Sequence, residues 1–192
     1  MAITAASAPD RILDAAERCM ARYGLRVSMR DVAAEAGLSR GSVYRYYADR
    51  DALVGAVLER TADRFVGAAA TAVDARTALA DQVAEAAVFI RTHLGDEGLT
   101  LRLPGERDSL LAAMMTAGGG RLVERWDEFW LPRLAAAAEH GEVRPDLDHR
   151  QAAEWIVRLM LSFALLPSAV VDLDDADAVR AFVRDHAVRG FA

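Results

Sequence analysis

SMRDVAAEAGLSRGSVYRYYADRDAL, residues 28–53, decides how this chain is read. Ser28 with Asp31 three residues on has the spacing that caps a helix start, because a side-chain oxygen can accept from the backbone N–H three positions later. Val32, Ala33 and Ala36 then recur on one helical face, and Gly37 stands where a helix closes in the left-handed conformation. Leu38 points back toward a core, Ser39 caps a second short helix ending near Tyr47, and Asp49 caps a third. Two short helices around a glycine turn make a helix-turn-helix. The second of them carries Arg40, Ser42, Tyr44, Arg45 and Tyr46. Guanidinium, hydroxyl and phenol groups at that density suit a surface that grips phosphates and base edges.

Upstream, residues 9–23 form a helix whose apolar positions Ile12, Ala16, Cys19, Met20 and Tyr23 share a face; Ser7 and Asp10 cap it and Gly24 stops it. Downstream, everything reads as helix. Spans are predicted at 50–70, 76–94, 106–117, 121–140 (with Pro132 inside, where a bend is expected), 149–166 and 176–188. Residues 141–148 are a connector. The fold class is all-α, with about nine helices and no strand pattern. Residues 1–48 form a helix-turn-helix domain and 49–192 a larger helical bundle.

The formal net charge of the 192-residue chain is −6, but it is unevenly placed. Residues 1–50 hold eight arginines and six carboxylates; residues 51–192 hold fifteen and twenty-three. An acidic body is repelled by DNA and favours docking through the N-terminal end. All 23 basic residues are arginine, so every phosphate contact this chain makes is a guanidinium contact. Cys19 is the single cysteine, which excludes an intrachain disulfide and fits a reducing cytoplasm. No apolar stretch is long enough to span a membrane, and the N-terminus lacks the order of a signal peptide. HExxH, P-loop and CxxC motifs are all absent, so no enzyme, metal site or cofactor is expected.

ILDAAERCMARYG (12–24), DVAAEAGLSRGSVYRYY (31–47) and DRDAL (49–53) together resemble the N-terminal domain of the TetR/AcrR family of bacterial transcriptional regulators. The resemblance implies a recognition helix over 39–47. Arg40, Ser42, Tyr44, Arg45 and Tyr46 would then face the major groove or its phosphates, and Ser39, which caps the helix, would belong to the same DNA-binding set. Gly41 would permit close backbone approach, Arg30 would reach the groove edge, and Arg50 would hold a phosphate-binding position that is usually lysine. Val43 and Tyr47 would face inward. Two departures stand out. Tyr46 replaces a frequent histidine, which bears on base preference. Tyr47 replaces phenylalanine, and its hydroxyl needs a partner if buried.

The resemblance further implies a repressor that a small molecule releases from a pseudo-palindromic double-stranded operator. It implies a homodimer paired through helices 149–166 and 176–188. The sequence supplies pocket candidates. Trp126, Phe129 and Trp130 share a helix face at i, i+3 and i+4. Trp155, Met160 and Phe163 come from the helix at 149–166, and Phe89, His93, Met114 and Met115 complete the set. Their composition points to an apolar or aromatic effector with few polar anchors. Each of these residues could equally be plain core, and Trp155 fits the pocket and the dimer face alike. An activator of the same fold and a helical protein-interaction adaptor are the alternatives to a repressor.

Overall fold

The computed structural model describes residues 7–94 and 119–192. Among them are eight α-helices, two 3₁₀ turns and no strand. They divide into two compact units, one running to Asp63 and the other comprising Arg64 onward within the described residues.

The first unit holds α1 (Ala8–Tyr23), a 3₁₀ turn (Gly24–Arg26), α2 (Met29–Ala36), α3 (Arg40–Tyr46) and the first part of α4 (Arg50–Val73). Local chemistry sets its boundaries. The side chains of Ser7, Ser28 and Ser39 accept from the amides of Asp10, Asp31 and Ser42, three residues on in each case. Asp49 Oδ1 accepts from the Ala52 amide at 2.8 Å. Gly37, at φ 65° and ψ 36°, closes α2: its N–H donates to the Ala34 carbonyl and that of Leu38 to the Ala33 carbonyl. That pattern needs a left-handed residue, which glycine adopts without strain. Ile12, Ala16, Cys19 and Met20 of α1 meet Val32 and Ala33 of α2, Val43 of α3, and Leu53 and Val57 of α4 in one core.

Tyr23 departs from the expected inner face and is 53% exposed. It is the last residue of α1, where the backbone (φ −118°, ψ 0°) departs from helical values, and Gly24 at φ 64° turns the chain, so the helical face is not continued there. Tyr47 is half-buried against the core, and this burial pushes its phenol pKa up.

The second unit holds the rest of α4, then α5 (Leu79–Leu94), α6 (Gly119–Glu139), α7 (His149–Leu165), α8 (Ala176–His186) and a closing 3₁₀ turn (Arg189–Phe191). Helix α4 runs three residues past its predicted end. Helix α5 begins at Leu79 rather than at residue 76, because the Leu79 amide is capped at 2.7 Å by Glu142 Oε2. That cap comes from the connector after α6 and is invisible to local reading. Helix α6 continues through Pro132, which leaves the Glu128 carbonyl without its helical donor. Helix α8 ends at His186 rather than at residue 188, and the chain finishes in the 3₁₀ turn, whose Phe191 is buried. The helix expected over 106–117, with Met114 and Met115, lies outside the described residues.

The core of this unit carries a chain of edge-to-face rings. Phe89 meets Phe65 at 5.2 Å between centroids, Phe65 meets Trp126 at 6.4 Å, Trp126 meets Phe129 at 5.3 Å, and Phe129 meets Trp130 at 5.0 Å. Around it, Glu85 receives a two-pronged ion pair from Arg180 and a further one from Arg76. Arg133 donates to Asp74 and to the Phe129 carbonyl, with its guanidinium over the Phe129 ring at 3.8 Å.

Candidate nucleic-acid interface

Helix α3 presents its polar side chains because one residue, Val43, is anchored in the core. Arg45, two residues on, projects about 160° away from Val43 around the helix axis. Tyr44 and Tyr46 are 43% and 41% exposed, high for phenols in a folded unit. The Arg45 guanidinium lies 5.1 Å from the Tyr46 ring centroid and donates to its hydroxyl at 3.4 Å. This stacking orients the guanidinium and leaves most of its donors free. Ser39 and Ser42 bond to each other at 3.0 Å while Ser39 caps the helix, so both hydroxyls already have a structural partner. A Cβ on Gly41 would meet only Ser39 Oγ, at 3.9 Å, so openness of the surface rather than backbone strain distinguishes that position.

Arg50 is more committed than expected. It pairs with Asp51 at 2.9 Å and donates to the carbonyl of Leu25. It therefore fastens the N-terminus of α4 to the turn between α1 and α2. Arg60 does the same further along, pairing with Asp14 and Glu17 of α1 at 2.8 Å each. Arg11 donates to the Ala36 carbonyl at 2.9 Å, and Arg18 and Arg22 share Glu35. Arg18's hydrogen bond, reinforced by Arg22, holds the Glu35 carboxyl below its ordinary range.

Exposed guanidinium groups with no ion pair among the described residues lie mostly in the first unit, with Arg189 as an instance in the second. In the second unit, Arg76, Arg91, Arg133, Arg144, Arg150, Arg158, Arg180 and Arg184 each pair with an acid. In the first unit Arg26, Arg30, Arg40 and Arg45 are exposed and have no ion pair among the described residues. Three of these four are sequence-predicted DNA contacts. Arg26 was missed, because its neighbours form no motif. Positive charge left without an ion pair among the described residues is what a polyanion surface requires.

The predicted effector residues do not all gather. Phe89, Trp126, Phe129, Trp130, Met160 and Phe163 are buried in the second core. Trp130 is fully buried, and its Nε1–H has no acceptor among the described residues. His93 is exposed rather than buried but touches this set: it stacks on Phe89 at 3.9 Å between ring centroids, and its Nδ1 is engaged by the Phe89 carbonyl at 2.8 Å. Trp155 is 51% exposed, and its indole donates to the Ala187 carbonyl at 3.2 Å. Its helix instead buries Ala152, Ala153, Ile156, Met160 and Phe163, which turns Trp155 outward. A cleft of about 310 Å³ is lined by Asp74, Thr77, Leu79, Gln82, Pro132, Arg133, Ala136, Ala137, His140 and Glu142, none of them a predicted effector residue.

Comparison with known proteins fits this geometry. The family model described as "Bacterial regulatory proteins, tetR family" matches residues 12–57. The HTH-type transcriptional regulator MT1294 of Mycobacterium tuberculosis is 31% identical over 188 residues, covering 94% of this chain and 84% of its own. The HTH-type transcriptional regulator Mb2274c of Mycobacterium bovis is 29% identical over 183 residues, covering 94% and 92%. Among solved structures, Salmonella enterica GusR aligns with a TM-score of 0.66 at 19% identity, covering 94% of this chain and 93% of that one. FadR from Bacillus subtilis, solved in complex with stearoyl-CoA, aligns at 0.60 and 18%, covering 95% and 98%. The two mycobacterial relatives and FadR are transcriptional regulators rather than enzymes, and no helix among the described residues is long and apolar enough to cross a membrane. The chain belongs to the TetR family of bacterial transcriptional regulators.

Proposed function

We propose that this regulator is a cytoplasmic homodimeric repressor that leaves a pseudo-palindromic operator when a small apolar or aromatic effector binds. Residues 1–48 read DNA, and residues 49–192 take up the effector and pair two subunits. The carrying observation is the set of unneutralised guanidiniums on α2 and α3, Arg30, Arg40 and Arg45, beside the exposed phenols of Tyr44 and Tyr46. Gly41 and Ser42 allow close approach, Ser39 fixes the start of the helix, and Arg50 completes the set once its contact with Asp51 exchanges for a phosphate.

Dimerisation is supported by apolar surface at and beyond α7. Trp155 is half exposed, and Leu166 and Val170 are more so. A single short recognition helix reads few bases, so two copies spaced by one helical turn of DNA supply the specificity. The ring-lined core supports an apolar effector, and the unpartnered Nε1–H of Trp130 would favour one with a hydrogen-bond acceptor on that body. The same fold in the B. subtilis neighbour is solved with stearoyl-CoA, a molecule with a long apolar chain.

The test is operator binding. A duplex enriched by the wild-type protein from a randomised library should bind Arg45→Ala and Tyr44→Ala about 10- to 100-fold more weakly, the range expected for a lost base contact. Circular dichroism should show both variants folded. Wild-type affinity in both variants would remove α3 from the interface.

A further inference from the structure

We propose that Arg26, in the turn between α1 and α2, is an additional phosphate contact that widens each subunit's DNA footprint beyond the helix-turn-helix. The inference rests on the DNA-reading role proposed above and extends it to a residue outside the recognition motif. Three observations carry it. Arg26 is exposed and has no ion pair among the described residues, whereas Arg18 and Arg22 just upstream are both held by Glu35. The turn is fixed in place, because Arg50 donates to the Leu25 carbonyl, one residue before Arg26. Arg50 opens α4 four residues after Tyr46, the last residue of α3, so this bond sets the Arg26 backbone within about one arginine's reach of the start of α4, the element that follows the recognition helix.

The electrostatics agree. Asp51 is taken by Arg50, and the Asp49 carboxylate caps the Ala52 amide, so both acids flanking Arg50 are already engaged. Two guanidiniums on one corner repel each other unless an anion lies between or beside them. A backbone phosphate supplies that anion, and a long arginine stem lets the head reach it without moving the turn. Tyr23, exposed at the end of α1, adds a phenolic donor on the same segment. A phosphate contact of this kind positions the protein and carries no base information.

The experiment compares the intact wild-type protein with Arg26→Ala, Arg26→Lys and Arg189→Ala on an enriched duplex and a scrambled one, over a series of salt concentrations. Arg189 is the control: it is exposed, has no ion pair among the described residues, and lies in the second unit. For Arg26→Ala the slope of log K against log salt should become shallower by about 0.9 per subunit. Binding should weaken equally on both duplexes, Arg26→Lys should keep the wild-type slope, and Arg189→Ala should leave it unchanged. An unaltered slope in Arg26→Ala, or an equal change in Arg189→Ala, would overturn the contact. If Arg45→Ala loses discrimination between the duplexes while Arg26→Ala keeps the full slope, the DNA-reading role stands and this inference fails. If the wild-type protein enriches no sequence, both fall.

Discussion

Replacing Glu85 with glutamine tests whether the ion pairs of the second unit hold its helices together. Arg180 of α8 reaches Glu85 of α5 with Nε at 3.0 Å and Nη2 at 3.1 Å, and Arg76 adds a third contact at 3.1 Å. The side chains of Arg180 and Glu85 are 22% and 14% exposed, so the pair is largely but not fully withdrawn from water. Breaking a fully buried pair costs about 3–5 kcal/mol, because the surviving charge is left without a partner. Partial exposure lets water solvate the freed guanidinium, and glutamine still offers one acceptor, though its amide N–H₂ now faces a donor. A loss of about 2 kcal/mol follows, near that of one charge-assisted hydrogen bond. Arg180's hydrogen bonds, then Arg76, hold the Glu85 carboxyl below its ordinary range. The folded pKa is therefore lower than the unfolded one. Its stabilisation is complete above the unfolded value of about 4.3 and is lost as pH falls through the folded value. The difference between wild type and Glu85→Gln should be full at neutral pH and shrink in acid. Urea unfolding followed by tryptophan fluorescence measures this in the right place, because Trp126, Trp130 and Trp155 all lie in the second unit. Protein concentration must be held fixed, since a dimer of the kind proposed above would contribute to apparent stability. A midpoint unchanged at neutral pH, or a difference that does not depend on pH, would refute the reasoning.

Two further predictions address the turn and the dimer. Gly37→Ala should destabilise the first unit by about 1–2 kcal/mol, the cost of a side chain in the left-handed region, and Gly37→Asn by less. A Cβ there would meet only Arg11 Nη2, at 3.9 Å, so the cost is conformational; hydrogen exchange of the α2 and α3 amides should register it, and wild-type protection would contradict it. Trp155→Ala should raise the dimer dissociation constant at least tenfold by sedimentation equilibrium, as expected for a large aromatic at the centre of an interface, and an unchanged constant would remove this surface from the interface.

What the sequence disclosed follows the range of the forces involved. The caps at Ser7, Ser28, Ser39 and Asp49, and the glycine closure at Gly37, act over three to five residues, so residue type and spacing alone reveal them. The start of α5 depends on Glu142, 63 residues away, and no local pattern announces it. Trp155 and Ile156 are adjacent and both apolar, yet one is half exposed and the other fully buried; only the packing of α7 against its neighbours separates them. Tyr23 fits the apolar stripe of α1 until Gly24 bends the chain out of the period.

Charge shows the same division more sharply. Composition places a small positive excess in the first fifty residues, where eight arginines face six carboxylates. That excess of two understates the surface, because counting treats every arginine alike. Folding commits Arg18 and Arg22 to Glu35, and Arg60 to Asp14 and Glu17, along the α1 side of the unit. Several of the carboxylates are thereby spent away from α3, and those of Asp31 and Asp49 go to helix caps. Arg26, Arg30, Arg40 and Arg45 are left uncompensated on the remaining surface. Neutralising the whole Arg18–Glu35–Arg22 cluster would make the chain's net charge more negative by a single unit, but freeing Glu35 alone would set a carboxylate loose on the helix that carries Arg30. On the proposed DNA-reading role, affinity depends on which acids are occupied as much as on how many bases there are, and pairing across helices decides that.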